Sequence, residues 1–290
     1  MKILLTLLLI SIFFIPLHAQ VITGKVIDFS NGEPLEYVSI GIIGTPIGTI
    51  TDKNGNFTIN VTGQSLDSIV RVSMISYHSQ IFNIKELCNK ENIIRLISAP
   101  KQLAEVVIKP MGKTRNVGIT NYTPPGAIWG WIGMDLGKGF ESGTKLKLGT
   151  LPVKLISLHI RVHYSSYDTV VVRLHVRNIA DNMPSDELLS SNILIAITAD
   201  SSEWANIDLS QYNLEFKGDI ALSLEWVKTI GIHRERFNME RGKKSFTPKV
   251  YFNLKMKRDG CMYWKQGPEN KWLLNNKRTP SIYLTVQKLK

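Results

Sequence analysis

The chain has 290 residues, of which 43% are hydrophobic and 20% charged, a length suited to two domains that each bury their own core. The formal net charge is +11. The whole excess falls in residues 233–290, where 15 basic residues meet 4 acidic ones, so it describes one region and not the whole chain. Cys88 and Cys261 are the only cysteines; their spacing excludes a thiol metal site or a disulfide framework, and they are expected as separate thiols.

Residues 1–19 read as an export signal. Lys2 supplies the positive start, Ile3–Ile15 is an apolar run broken only by Thr6 and Ser11, and Pro16-Leu17-His18-Ala19 closes it on a small residue. The run is too short to span a bilayer, and no later segment approaches about 18 uninterrupted apolar residues, so no transmembrane span is expected in the mature chain. No cysteine stands at the cleavage point to carry a lipid anchor.

From Val21 to Lys109 the chain consists of short apolar runs punctuated by turns. Val21–Phe29 ends at Ser30-Asn31-Gly32, Tyr37–Ile43 is broken by Gly44, Pro46 and Gly48, and Phe57–Val61 alternates behind Asp52-Lys53-Asn54-Gly55. Ile69–Tyr77, Gln80–Ile84 and Ile93–Ile97 follow. This spacing predicts a β-sandwich over residues 20–109. Residues 110–150 are dense in glycine and proline and read as a linker and lead-in loop carrying short strands. Strand patterns resume at Val153 and continue to Gln287, predicting a second, more aromatic β-sandwich over residues 151–290. All six tryptophans lie behind the first domain.

The segments Gly24-Lys25-Val26, Gly32-Glu33-Pro34-Leu35, Val38-Ser39-Ile40 and Thr49-Ile50-Thr51-Asp52 through Gly55-Asn56-Phe57 resemble the carboxypeptidase regulatory-like domain, in the version found on exported and outer-membrane proteins of Bacteroidetes. The resemblance covers about residues 21–108. It implies a transthyretin-like β-sandwich without catalytic activity and a location in the periplasm or at the outer membrane. The chain departs from the family at Ser76-Tyr77-His78-Ser79, where Gly-Tyr is usual; one turn should change and the fold should not. Asp52, Asn54 and Asn56 hint at a calcium loop, but the glycine comes too early and Gly63 occupies the place of the bidentate glutamate, so a plain turn is expected. Leu103-Ala104-Glu105-Val106-Val107-Ile108 resembles the segment that follows this domain in TonB-dependent receptors, although the remaining chain is too short for their barrel. The part behind the first domain resembles the jelly-roll-like domain appended to this module in other Bacteroidetes proteins. The expected class is therefore all-β, a transthyretin-like module followed by a jelly-roll-like domain.

Two segments alternate strictly between charged and apolar residues: His159, Arg161 and His163, then Arg173, His175 and Arg177. With Ser165–Asp168 between them they are expected to form a hairpin whose six charged residues share one face. Interleaved arginines argue against a metal and suit an anion; a solvated face is the plainer alternative. Trp129 and Trp131, in the glycine-rich stretch, and Trp264 and Trp272, flanking the Gln266–Asn270 turn, are candidate platforms for a sugar ring. Trp204 and Trp226 fit the core.

No histidine is followed three residues later by glutamate, and no nucleophile elbow, phosphate loop or dinucleotide motif occurs. No cofactor or catalytic residue is therefore expected. These observations predict a non-catalytic, exported cell-envelope binding or assembly protein that recognises glycan or anionic envelope components. Anionic lipid headgroups, acidic glycan or an outer-membrane protein are the partners that fit export, and nucleic acid is not. A solubilising basic face accounts for the charge equally well. Two alternatives remain open at this point: an accessory partner of a TonB-dependent transporter, and a hydrolase of envelope glycan or peptide built on scattered carboxylates.

Overall fold

The computed structural model describes residues 20–99, 111–123, 128–132, 138–198, 204–231, 237–240, 243–246 and 249–289. The export signal and the Leu103–Ile108 segment lie outside the described residues. In the first domain β1 (Val21–Asp28) runs antiparallel to β4 (Asn56–Asn60) and parallel to β7 (Asn92–Leu96). The facing sheet has the order β3 (Gly48–Ile50), β2 (Ser39–Ile42), β5 (Ile69–Ser73), β6 (Gln80–Asn83). A single helical turn, α1 (Ile84–Leu87), follows β6. Val26, Ile40, Phe57, Ile59, Val72 and Leu96 are among the residues that fill the space between the sheets.

The local chemistry of this domain follows its sequence. Asp52 Oδ1 accepts from the backbone N–H of Asn54 (2.9 Å) and Asn56 (2.8 Å), and Gly55 takes a φ of +76°. The segment is thus a plain Asx-type turn, and it delivers Phe57 inward at 4% exposure. Ser76, in the segment that departs from the family, adopts a φ of +71°. This turn is held by Tyr77, whose hydroxyl donates to Asp28 Oδ2 at 2.8 Å.

The second domain is a larger sandwich. Its first sheet has the order β13 (Met183–Glu187), β12 (Thr169–Ala180), β17 (Asp219–Ile230), β10 (Glu141–Lys147), β21 (Met262–Lys265), β22 (Leu273–Asn275), with β14 (Ile193–Thr198) also on β12. The second sheet has the order β23 (Arg278–Pro280), β20 (Lys249–Met256), β11 (Val153–Ser165), β24 (Ile282–Leu289), β8 (Met111–Gly118). Further pairing comes from β15 (Trp204–Asp208) and β16 (Glu215–Phe216) on β11 and from β9 (Ile128–Ile132) on β20. A separate ribbon joins β18 (Phe237–Glu240) to β19 (Lys243–Phe246). No helix among the described residues is long and apolar enough to cross a membrane.

Two expectations are corrected here. Within the stretch 110–150, the described strands β8, β9 and β10 belong to the sheets of the second sandwich and are not a linker. Several of its glycines serve close approach of strands: a Cβ on Gly143 would strike Ser223, and one on Gly130 would strike Tyr251 and the Val250 carbonyl. The second correction concerns β11 and β12, which are not a hairpin. The link Ser166–Asp168 carries the chain from one sheet to the other, so β11 pairs with β20 and β24 while β12 pairs with β14 and β17.

The apolar sides of both strands meet in one core. A bulge between Leu155 and Ser157 shifts the inward phase of β11, so Leu158, Ile160 and Val162 stay inside. Val170, Val172, Leu174 and Val176 face them from β12. Trp226, 1% exposed, is the largest side chain of this core and meets Tyr167 edge-on at 6.1 Å. Trp226→Ala is expected to cost about 3–5 kcal/mol through the cavity it leaves, read as a lower denaturant midpoint on chemical unfolding.

Candidate functional site at the domain junction

The outer face of the first sheet of the second domain carries the odd-numbered residues of β12, β10 and β21 and of β17 up to Glu225. Strand register sets Arg173 opposite Glu225, Glu225 opposite Glu141, and Glu141 opposite Lys265. The row reads cation, anion, anion, cation across β12, β17, β10 and β21. The next row is His175, Ser223, Gly143 and Tyr263. Small side chains in that row leave a passage, and Arg177 crosses it to pair with Glu141, while Ser223 Oγ accepts from Arg177 at 3.0 Å and donates to Glu141 Oε1.

Every charge in this row has a partner. Arg173 Nη1 lies 2.8 Å from Glu225 Oε2, and Lys265 Nζ lies 3.2 Å from Glu141 Oε2. His175 stands between two carboxylates, with Nδ1 2.6 Å from Glu187 Oε2 and Nε2 3.0 Å from Glu225 Oε2. A carboxylate at each nitrogen favours the doubly protonated ring. Arg177 Nη2, 2.9 Å from the same Nδ1, opposes that charge.

The first domain closes over this face. Ser39 of β2 donates to Glu225 Oε1 at 3.0 Å and accepts from Arg173 Nη1 at 3.1 Å, and Arg173 Nη2 donates to the Tyr37 carbonyl. A second tie comes from the turn between β21 and β22. Glu269 accepts from Arg71 (3.3 Å) and Ser73 (3.2 Å), and its carbonyl accepts from Gly44 N–H (2.9 Å). Gly41 and Gly48 permit this turn to settle on the first domain, since a Cβ at Gly41 would lie 3.0 Å from Glu269 Cγ and one at Gly48 would collide with Pro268. A third tie joins Ser76 Oγ to the Ser190 carbonyl.

These surroundings set the titrations. Burial disfavours the Glu225 carboxylate, but Arg173 and His175 outweigh it and hold the group down at about 2. Glu141 behaves likewise: burial is outweighed by Arg177, His175 and Lys265, and its carboxyl lies well below its usual range. Glu187 is lowered against burial by His175 and Arg177. Burial and Arg177 push His175 down, yet Glu141 and Glu187 win and raise it. Glu269 alone is raised, because burial outweighs Lys265 and Arg71.

A cleft of about 440 Å³ remains where the domains meet. Glu187, Lys265, Glu269, Asn270 and Trp272 line it together with Ser73 and Arg71. Trp272 is half-buried and lies over two cations, 5.5 Å from the Arg177 guanidinium and 5.1 Å from Lys265 Nζ. No group of three or more His, Cys, Asp or Glu residues that could hold a metal ion occurs among the described residues.

The sequence-predicted residues separate into two places. Arg173, His175, Arg177 and Trp272 converge on the cleft. His159, Arg161 and His163 lie on the other sheet, so the expected single face of six does not form. His159 stacks on Tyr283 at 4.1 Å and bonds Ser157 and Thr285, Arg161 lies 4.6 Å over Tyr122, and His163 is exposed. Trp264 is half-buried on β21. Trp129 is not a loop platform: it sits in β9, stacked at 5.6 Å on Phe252. Trp131 also lies in β9, and its side chain is outside the described residues. Trp204, expected in the core, meets Tyr283 edge-on at 4.9 Å and is only partly buried. Glu141 and Glu225 were visible only as scattered carboxylates, and Glu187, Lys265 and Glu269 carried no signal except a charge inside or beside apolar strand text.

Residues 22–108 match the model of the CarboxypepD_reg-like domain. The first domain is a CarboxypepD_reg-like domain. The comparison with curated proteins gave no match. Among solved structures the chain is similar to the cysteine protease and lectin-like domains of Cwp84, a surface layer associated protein of Clostridium difficile, at 12% identity and a TM-score of 0.38, covering 94% of this chain and 59% of that one. It is also similar to the T13 IBDV viral particle structure at 7% identity and a TM-score of 0.26, covering 93% and 58%. Carbohydrate-binding modules from the beta-sandwich superfamily match at 9% identity and a TM-score of 0.20, covering 81% and 95%. At such low scores these likenesses bear on neither ligand nor activity. The chain spans less than two thirds of the first two. The ties described above therefore join a CarboxypepD_reg-like domain to a second β-sandwich that lies outside the matched residues.

Two outcomes follow from the junction. Arg173→Met leaves Glu225 buried without its guanidinium and is expected to cost about 3–5 kcal/mol, measured by chemical denaturation. The junction also has a pH window. Glu141, Glu187 and Glu225 contribute stability that is full above their ordinary value of 4.5 and lost as pH falls through their lowered values. The His175 contribution is full below its ordinary value of 6.5 and lost as pH rises through its raised value. Glu269 opposes the acid arm, because a raised carboxyl stabilises most below 4.5. Thermal unfolding should show its highest midpoint between about pH 4.5 and 6.5, and His175→Gln should flatten the alkaline side.

Proposed function

We propose that the protein is a non-catalytic, exported binding protein of the cell envelope that takes a saccharide in the cleft between its CarboxypepD_reg-like domain and its second sandwich. The observation that carries this reading is Trp272 on the wall of a polar cleft of about 440 Å³. An indole supplies an apolar face for a sugar ring, while the Asn270 amide and the Ser73 hydroxyl oxygen beside it offer donors and acceptors for hydroxyl groups. Lining cations and anions nearly cancel, which suits a neutral, hydroxyl-rich ligand better than a highly charged one. Export rests on the reading of residues 1–19.

The chemistry of the carboxylates supports binding over hydrolysis. Glycoside hydrolysis needs one carboxyl held protonated as acid and a second free to act as base or nucleophile. Glu141, Glu187 and Glu225 are committed to Arg177, His175, Arg173 and Lys265. Glu269, the one raised carboxyl, is tied to Arg71 and Ser73. The test is calorimetric titration of the chain from Gln20 with neutral oligosaccharides. Binding should weaken about tenfold or more in Trp272→Ala, a loss of about 1.4 kcal/mol, with the fold retained as read by circular dichroism. Binding that survives Trp272→Ala, or no binding by any oligosaccharide, rejects the reading; cleavage of the bound sugar would replace it with a hydrolase.

A further inference from the structure

A second recess lies at the far end of β10, where that strand meets β8 and the turn after β20. Residue 145 is four positions beyond Glu141 on β10, about 14 Å away at strand rise. The recess has a volume of about 710 Å³. Lys145 and Lys147 of β10 and Lys257 and Arg258 of the turn after β20 line it, and Asp259 is the one carboxylate among its lining residues. Lys145 is shared with Asp219 at 3.4 Å. Lys147, Lys257 and Arg258 have no acidic partner among the described residues.

The backbone fixes these cations in place. The turn after β20 and the turn between β22 and β23 are bonded together, Lys257 N–H to the Lys277 carbonyl (3.1 Å) and Gly260 N–H to the Asn276 carbonyl (2.8 Å). A side chain at Gly260 would clash with the Arg278 backbone, so the close approach requires glycine. The Cys261 end is held by Thr144 Oγ1, which donates to the Cys261 carbonyl at 2.7 Å, and by Thr279 Oγ1, which accepts from Cys261 N–H at 3.0 Å. Lys277 and Arg278 stand exposed beside the recess and add to its field. The side-chain amides of Asn182 and Asn276 line it without an internal hydrogen bond among the described residues.

We infer that this recess binds an acidic polysaccharide, with Lys147, Lys257 and Arg258 receiving its carboxylate or sulfate groups and Asn182 and Asn276 its hydroxyls. Unpaired cations held around a concavity draw an anion in and concentrate the field there. Amides within the same recess favour a hydroxyl-bearing chain over a flat anionic bilayer, which would meet the protruding turns and leave the floor unfilled. The site is separate from the saccharide cleft and does not depend on it.

The experiment titrates the chain from Gln20 with oligogalacturonate and with its neutral methyl ester. Oligogalacturonate should bind more tightly than the ester, and the excess affinity should disappear as salt rises from about 0.05 M to about 0.5 M. Lys257→Glu with Arg258→Glu should weaken oligogalacturonate about tenfold or more. Trp272→Ala and the remote Lys53→Glu should leave the excess unchanged. The turn side chains make no internal bond, so folding should persist, and Lys257→Gln with Arg258→Gln provides a milder check. Equal binding of acid and ester, or an excess unaffected by the turn variants, overturns the inference. So does binding to vesicles containing phosphatidylglycerol with none to oligogalacturonate. Loss of the cleft signal alone, through Trp272→Ala, leaves it standing.

Discussion

Arg173 and Glu225 face each other across adjacent strands, 2% and 4% exposed at the side chain, with Ser39 of the other domain bonded to both. Taking such ions out of water costs several kcal/mol each, and the pair holds only when its remaining lone pairs and protons are also satisfied. The CarboxypepD_reg-like domain supplies part of that satisfaction through Ser39 Oγ and the Tyr37 carbonyl. The pair is therefore complete only when the domains are together. Moving them apart would expose Glu225 and Glu141 to water and strip Arg173 of two acceptors. The cleft beside Trp272, the position of Glu269 and the charge state of His175 all presuppose this closed arrangement.

Residue patterns made some of this architecture legible and concealed the rest for identifiable reasons. Turn chemistry is local, so Asp52 through Phe57 disclosed its turn and its inward phenylalanine. Alternation disclosed which side of β11 and β12 is apolar, but alternation is blind to which sheet a strand joins. The short link at Ser166–Asp168 fits a hairpin and a crossing equally well, and the burial of both apolar sides in one core decides for the crossing. Glycine density between residues 110 and 150 suggested a linker because glycine marks both loops and strand positions where backbones touch. Gly130 and Gly143 are of the second kind.

The candidate site was the least legible part. Arg173, His175 and Arg177 looked like a solvated face because their cover comes from residues more than a hundred positions earlier. Their partners Glu141, Glu187 and Glu225 come from three other strands, so no window of sequence contains the set. A charged residue within ALSLEWV, a run at 221–227 that is apolar apart from it and Ser223, was the one local hint that Glu225 has a buried partner. Strand β10 links both proposed sites, giving Glu141 to the cleft and Lys145 and Lys147 to the basic recess at its far end.

The edge of the second sandwich carries a consequence for how this domain is joined to its neighbour. Strands β8 and β24, the first and last described strands of the second sandwich, are paired so that Met111 stands opposite Leu289. The chain thus leaves the sandwich beside the point where it came in. A domain with adjacent ends behaves as a cassette: it can hang from a host by a single short seam, and its strands can be reconnected through that seam and opened elsewhere without redrawing the core. The CarboxypepD_reg-like domain then acts as the host on which such a cassette is mounted, with Ser39, Gly41 and Gly48 forming the seat that fits it.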